Sequence, residues 1–475
     1  MKRLTKNLAA LFICFLVFTN LQIYAQLKSP NNQADYIIIY HPDFQNELTD
    51  FIQWRQSKGL TVFPVNVNDV YDEFNDTASQ QESIRDFISY TLNNWQDPKP
   101  QYLLLVGSIL HIPSYRIESD LNFPPLNEDS VSIDEYFVTD KYDSDGLMDM
   151  CIGRFPARTI EDLNNMFNKT IQFEDHFNEI EYKYDFLALA DSSDQGIFNY
   201  SIENLINKSL PKNYNIKRIY FQDTSQYKST KEDFFSALYD GTAIMCFYGH
   251  GNPNVWIKPG IFTINDFDSL KLSNKPFFHS SATSSQAFDN PEKKCIIETL
   301  ITYNNGGAVA TLAPTGLTYV GIIERFNEGF YKTIVNDKNL TIGKAIMETK
   351  KNSFYSNSND LKRYSLLGDP ALKFPEKLIA GLKDIQIPSS AFNMSAFPNP
   401  FLNKLNISFS LSVDNDVELL VYDIKGKLIS KKSFSKLEAG LHNVEFNFDA
   451  ISSGEYNCVL KIGNEIEIKK IVCVK

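Results

Sequence analysis

The chain is short of positive charge, of histidine and of any ordered cysteine pattern, and each shortage closes off a class of function. Lys and Arg number 46 against 58 Asp and Glu, a net charge of −12. Phosphate binding needs a basic face, so the balance argues against a nucleic-acid partner. Cys14 falls in the N-terminal apolar run, and Cys151, Cys246, Cys295, Cys458 and Cys473 are an odd set without regular spacing. They form no disulfide framework, and no CxxC pair or His/Cys cluster has zinc-ligand spacing. Cys151 and Cys246 lie inside apolar runs and read as small buried hydrophobes. No long low-complexity tract is present, and 43% hydrophobic against 22% charged residues is an ordinary globular balance. Wholesale disorder is excluded on that composition.

What is present begins at the N-terminus. Lys2, Arg3 and Lys6 precede eleven apolar residues, Leu8–Phe18, and Ala25-Gln26 places a small residue at a cleavage point. This is the make-up of a signal peptide over residues 1–25, because a spanning helix needs roughly 20 apolar residues. The mature chain is expected to be exported and to have no membrane span.

From about Asp35, short apolar runs alternate with amphipathic stretches. Tyr36–Tyr40, Thr61–Val65, Tyr102–Val106, Met150–Ile152, Phe186–Leu189, Lys217–Phe221, Ala243–Phe247, Pro276–Ser281 and Ala308–Leu312 predict strands. Helices are predicted at Glu47–Lys58, Gln80–Trp95 and Ile160–Phe173. Continuous apolar runs mark strands covered on both faces, hence an α/β fold with mainly parallel sheets. The pattern divides into two tandem α/β units, residues 35–178 and 179–375, with a linker at 376–395. From 396 to 475 helical periodicity disappears and alternating segments separated by turn residues predict a small all-β sandwich of immunoglobulin-like type.

Few residues can carry chemistry. His250 stands between Gly249 and Gly251 just after the apolar run Ala243–Phe247. Ligands in open α/β sheets bind beyond the carboxyl ends of strands, and an imidazole there can act as a general base. The plainer reading is a glycine turn that happens to carry a histidine. Pro276–Ser281 runs into Ala282-Thr283-Ser284-Ser285, where Thr283 or Ser284 would stand as a nucleophile, although hydroxyls at strand ends usually cap loops. His279 lies within that strand and reads as a core histidine. Asp149, just before Met150-Cys151-Ile152, could orient an imidazole, cap the strand or pair with Arg154. Asp143-Ser144-Asp145-Gly146 could bind structural calcium but lacks a full spaced-carboxylate loop; no other cofactor is indicated.

On these residues, the chain over roughly 35–375 resembles the gingipain family of cysteine peptidases. The matching pieces, in family order, are Tyr102-Leu103-Leu104-Leu105-Val106-Gly107, Asp149 with Ile152-Gly153-Arg154-Phe155-Pro156-Ala157, Tyr248-Gly249-His250-Gly251 with Trp256, Phe288-Asp289 with Glu298, and Leu367-Gly368-Asp369-Pro370-Ala371-Leu372. The resemblance implies two caspase-like α/β subdomains, a peptide or protein substrate, His250 as general base and Asp149 as the carboxylate orienting it. The family's nucleophilic cysteine falls on Thr283 counting back from Phe288, or on Ser284 if Ala282-Thr283 is the anchor. Neither is cysteine, and Cys295 lies well past the loop. A thiol is readily ionised near neutral pH and a hydroxyl is not, so reduced or absent peptidase activity is expected. An endopeptidase using a Ser/Thr nucleophile with His250, and a non-enzymatic surface binding or adhesive protein, are the alternatives. The α/β region starts close behind the signal cleavage point, so no propeptide domain is expected.

Residues 396–475 resemble the sorting domain of type IX secretion cargo. Phe397-Pro398-Asn399-Pro400-Phe401, Val421-Tyr422-Asp423-Ile424-Lys425-Gly426, Gly440, Ser453-Gly454-Glu455-Tyr456 and Lys469-Lys470-Ile471-Val472 carry the match. It implies recognition by the type IX machinery and delivery to the cell surface or the medium.

Overall fold

The computed structural model describes residues 26–474, apart from 119–121, 124–125, 128–129, 284–285, 305, 338, 354–357, 381–393, 412–413, 424–426, 439, 449–450 and 463–464. The expected signal peptide, Ser284 and most of the expected linker lie outside these residues. The chain forms two compact units. One comprises residues up to Leu205 with Ile216–Phe374, the other Ile206–Asn215 with Pro375–Lys475.

The large unit is built on one ten-stranded sheet. Its strands are β1 (Tyr36–Tyr40), β2 (Val62–Asn66), β3 (Tyr102–Val106), β4 (Cys151–Phe155), β5 (Tyr184–Asp191), β6 (Ile216–Phe221), β7 (Thr242–Tyr248), β8 (Phe277–Ala282), β9 (Ala308–Pro314) and β10 (Tyr364–Leu367). Across the sheet they run β6-β5-β7-β8-β9-β10-β4-β3-β1-β2. Every neighbouring pair is parallel except β9 with β10, so the strand direction reverses once. The apolar runs are continuous because both faces are covered. Along β1, Tyr36 and Ile38 enter one core cluster while Ile37 and Ile39 enter another, all fully buried. The strands of the two expected α/β halves share this single sheet, and β10, from the second half, runs in the direction of the first-half strands.

Helices α1 (Leu48–Ser57), α2 (Gln80–Asn94), α3 (Ile160–Asp175) and α4 (Ile296–Thr302) lie among those that connect the strands. Two starts are set locally. Ser79 accepts from the Glu82 N–H at 3.3 Å, and Thr159 and Asp162 form a reciprocal capping box ahead of α3. Such caps satisfy amide groups that the first helical turn leaves without partners.

The halves join where β4 meets β10. A Cβ at Gly153 would lie 2.2 Å from the Gly368 carbonyl oxygen, and one at Gly368 would lie 2.6 Å from the Ala310 Cβ. Beside this contact the buried Arg154 gives Nε and Nη2 to Asp134 at 2.7 and 2.8 Å and Nη1 to the Gly107 and Ile112 carbonyls, both at 2.9 Å. Asp369, just past β10, reaches back across the unit. It accepts from the Tyr36 hydroxyl at 2.8 Å, Arg55 Nε of α1 at 2.7 Å and the Ala371 N–H at 2.8 Å. Arg55 also donates to Glu174 of α3 at 3.1 Å.

The small unit contains a three-stranded sheet (Ser395–Phe397, Lys404–Leu411, Gly440–Asn447) and a four-stranded sheet in the order Leu428–Leu437, Asn415–Asp423, Gly454–Ile462, Glu465–Cys473. Leu405, Ile407 and Phe446 of the first share a core with Leu419, Val421 and Leu460 of the second. This is the expected sandwich. Among the described residues no helix is long and apolar enough to cross a membrane.

Replacing Asp369 with Ala leaves the Arg55 charge buried beside Glu174 alone and strands the Tyr36 hydroxyl. The large unit should lose about 3–5 kcal/mol, read as an earlier unfolding transition in urea; an unmoved transition would mean the pair contributes nothing.

Candidate active site

β5, β7 and β8 are adjacent and parallel, so their carboxyl ends share one rim of the sheet. Tyr248 lies opposite both Ala190 and Ala282. The next residues are therefore brought together: Asp191 after Ala190, Gly249-His250-Gly251 after Tyr248, and Thr283 after Ala282. The flanking glycines are needed for their lack of a side chain. A Cβ at Gly249 would sit 2.7 Å from the Asp191 Cβ, and one at Gly251 would sit 2.7 Å from Thr283 Oγ1.

His250 is exposed, meets Phe198 edge-on at 5.1 Å and accepts at its carbonyl from the Ile257 N–H at 2.9 Å. Ile257 has φ +55°, a left-handed conformation that costs a β-branched residue of order 1–3 kcal/mol and often marks a functional loop. Trp256 beside it is fully buried, stacked on Phe247 at 4.8 Å and on His279 at 5.1 Å. Its indole N–H donates to Gln286 Oε1 at 2.9 Å, while Gln286 Nε2 donates to the Asn252 carbonyl at 3.2 Å. Gln286 thus ties the loop after β8 to the loop after β7.

Thr283 is 1% exposed, and among the described residues its hydroxyl has no hydrogen-bond partner. Ser284, the other expected nucleophile position, lies outside the described residues. The thiols offer no replacement. Burial raises Cys151 and Cys246 to about 12, and burial with Glu298 beside it raises Cys295 well above the usual thiol value. Cys295 closes a capping box with Glu298 at the start of α4, so its sulfur is turned into the fold.

Asp149 is not brought to His250. It precedes β4, four strands along from β7, roughly 19 Å at the usual inter-strand spacing. Its carboxylate accepts from the Asp140 N–H at 2.9 Å and burial raises its pKa. It closes the turn ahead of β4, while Arg154 pairs with Asp134. The carboxylate standing beside the Gly-His-Gly turn is Asp191, which is 5% exposed and accepts from the Ser193 N–H at 2.9 Å. Sequence reasoning missed it because it reads as the polar end of an apolar run. Asp143 and Asp145 accept from the Asp145 and Leu147 N–H groups, which makes their run a pair of turns.

His279 is fully buried, and among the described residues neither ring nitrogen has a hydrogen-bond partner. It lies in the core, as expected. Burial pushes its pKa down to about 3.

Residues 29–375 match the family model for peptidase family C25, and residues 395–475 match that for the secretion system C-terminal sorting domain. Gingipain R2 of Porphyromonas gingivalis (strain ATCC 33277) is 24% identical over 226 residues, 46% of this chain and 28% of that protein. Gingipain R1 of Porphyromonas gingivalis is 24% identical over 46% of this chain and 21% of its own length. The match therefore spans a minority of each relative. The crystal structure of the Arg-specific cysteine proteinase gingipain R superposes with a TM-score of 0.57 at 18% identity, covering 94% of this chain and 99% of that one. The complex of Porphyromonas gingivalis RgpB pro- and mature domains gives 0.58 at 18% identity, covering 92% and 100%. At these identities the likeness is one of fold.

The state of His279 predicts a pH dependence. Folded, the imidazole stays neutral down to about pH 3, whereas unfolded it takes a proton near 6.5. The stability this confers is whole above pH 6.5 and falls as pH drops toward 3. In denaturation followed by tryptophan fluorescence, wild type should lose about 2 kcal/mol relative to His279→Leu between pH 8 and pH 5. A gap that does not change with pH would mean that the folded imidazole titrates normally.

Proposed function

The chain belongs to peptidase family C25 and ends in a secretion system C-terminal sorting domain, and from that premise we propose that it is an exported peptide-binding protein with reduced or no cysteine-peptidase activity. Export to the cell surface or the medium follows from the sorting domain, which addresses cargo to the type IX machinery. The family implies a peptide as the ligand of the large unit. The finer reading concerns the rim formed by β5, β7 and β8.

In this reading Thr283 stands at the nucleophile position, His250 is the base and Asp191 is the carboxylate that orients it. What supports it is the register that sets Thr283 opposite the Gly-His-Gly turn, with a buried hydroxyl that has no hydrogen-bond partner among the described residues. A hydroxyl attacks a peptide carbonyl only when a base takes its proton and donors hold the oxyanion. A thiol ionises far more readily, and every described thiol of this unit is held protonated by burial. The exposed imidazole and its neighbouring carboxylate can still hydrogen-bond an extended peptide lying along the rim.

Assay of the full-length chain against a mixed peptide library should find wild type silent and Thr283→Cys active. Adding His250→Ala to that variant should reduce its rate at least 10²-fold, the scale of a general base. Gain of activity in Ser284→Cys instead would move the nucleophile position by one residue. Cleavage by wild type that His250→Ala abolishes would overturn the inactive reading and make this a hydroxyl-nucleophile peptidase.

A further inference from the structure

The single reversal of strand direction places the carboxyl ends of β1 and β3 on the rim opposite His250. The connection leaving β1 runs to β2 on one side, while that leaving β3 runs to β4 on the other, so the connections part between β1 and β3. A crevice forms at such a switch point, the usual ligand position of an open α/β sheet. β1 runs into His41-Pro42-Asp43, and β3 into Gly107-Ser108 and then His111. One ligand atom from each of His41, Asp43 and His111 lies within 4.8 Å of the others, and among the described residues no other three His, Cys, Asp or Glu side chains converge in this way.

We propose that His41, Asp43 and His111 bind a divalent transition-metal ion of the zinc class. Two imidazoles and one carboxylate suit zinc, cobalt or nickel, whereas calcium takes six to eight oxygen ligands. With bonds of about 2.1 Å, ligand atoms in a tetrahedral zinc site stand roughly 3.4 Å apart. His41 Nδ1, which accepts a long 3.4 Å hydrogen bond from the Asp43 N–H that a metal would replace, stands 3.4 Å from Asp43 Oδ2, and the Asp43 side chain, 68% exposed, has freedom to adjust. The separations to His111, within 4.8 Å, close by up to about 1.4 Å in a tetrahedral site.

The histidines are held in advance of any metal. The His41 N–H donates to the Val106 carbonyl at 3.2 Å, which ties the end of β1 to the end of β3. The His111 ring lies 5.0 Å from Phe44 and crosses the His41 ring at 4.8 Å, edge to face. Gly107, at φ +138°, lets it fold back over the strand end, since a Cβ there would meet the His111 Cβ at 2.7 Å. Ser108 Oγ stands 3.0 Å from His111 Nδ1 and accepts from the Leu110 N–H at 3.3 Å. With the Nδ1 proton directed at that oxygen, Nε2 keeps its lone pair for a metal. An outer partner of this kind commonly fixes the tautomer of a metal-bound histidine. Three protein ligands leave a fourth position for water.

The test is calorimetric titration of the chelator-stripped full-length chain with zinc alone, beside His41→Ala, His111→Ala and Asp43→Asn. Circular dichroism checks that each variant is folded, and the exposed Asp43 gives a substitution that leaves the packing alone. Wild type should bind one equivalent that both histidine variants lose and that Asp43→Asn holds at least tenfold more weakly. A His250→Ala chain should keep that equivalent, which separates this site from the peptide rim. Cobalt at the same stoichiometry should show visible d–d absorption in wild type and His250→Ala, and none in either of the other histidine variants. The proposal is overturned if wild type binds no zinc, or if any of the three variants binds it as wild type does.

Discussion

Where β4 meets β10 the two backbones approach so closely that a methyl group at residue 153 would stand 2.2 Å from the Gly368 carbonyl oxygen, and the large unit is organised about that contact. With no side chain between them, a strand from late in the unit can lie beside one from early in it, turning two short sheets into one of ten strands. The approach needs support, because it brings a guanidinium and several carbonyls into a dry interior. Arg154 supplies it by committing Nε, Nη1 and Nη2 at once to Asp134 and two backbone oxygens. A buried ion pair is a weak source of net stability but a strong selector of one arrangement when every donor is used. Gly153-Arg154 and Gly368-Asp369, conspicuous in the sequence, thus belong to the joint between the halves and lie away from the reactive rim.

At that rim the geometry is set by what is missing. Gly249 and Gly251 clear space on either side of His250, one for Asp191 and one for Thr283, so three strand ends converge without a clash. The turn is further fixed by Trp256, held between Phe247 and His279 and anchored through Gln286. These are the supports of a positioned imidazole. The neighbouring Thr283 hydroxyl is packed beside the same turn, 1% exposed.

The strands were legible from the sequence because burial on both faces forces uninterrupted apolar runs; YIIIY and YLLLV name β1 and β3 almost to the residue. The Gly-His-Gly turn was legible as the carboxyl end of an apolar strand, which is where the structure puts it. Asp191 was not, since it ends its own strand and comes beside that turn only through the sheet order β5-β7. Asp149 was misleading for the converse reason: its nearness to a matching motif says nothing of how many strands separate it from His250. The His41–His111 cluster was equally hidden, because its members are joined by strand adjacency and not by a recognisable spacing. The short strands Tyr115–Glu118 and Ser130–Ile133 carry no run long enough to announce themselves. Pairing across long stretches of chain is the information that periodicity lacks.

The ties made by Asp369 also set an order of events. Its partners Tyr36 and Arg55 lie 333 and 314 positions earlier in the chain. Until residue 369 is available, the early strands have a cation in their interior with only Glu174 to answer it, and a phenol with no acceptor. Contacts between such distant positions form late, because closing the intervening loop costs entropy before the contact repays it. The first half is therefore poorly suited to settling as a finished domain while the second is still being made. For an exported chain, the ties that finish the large unit therefore cannot form before residue 369 is present.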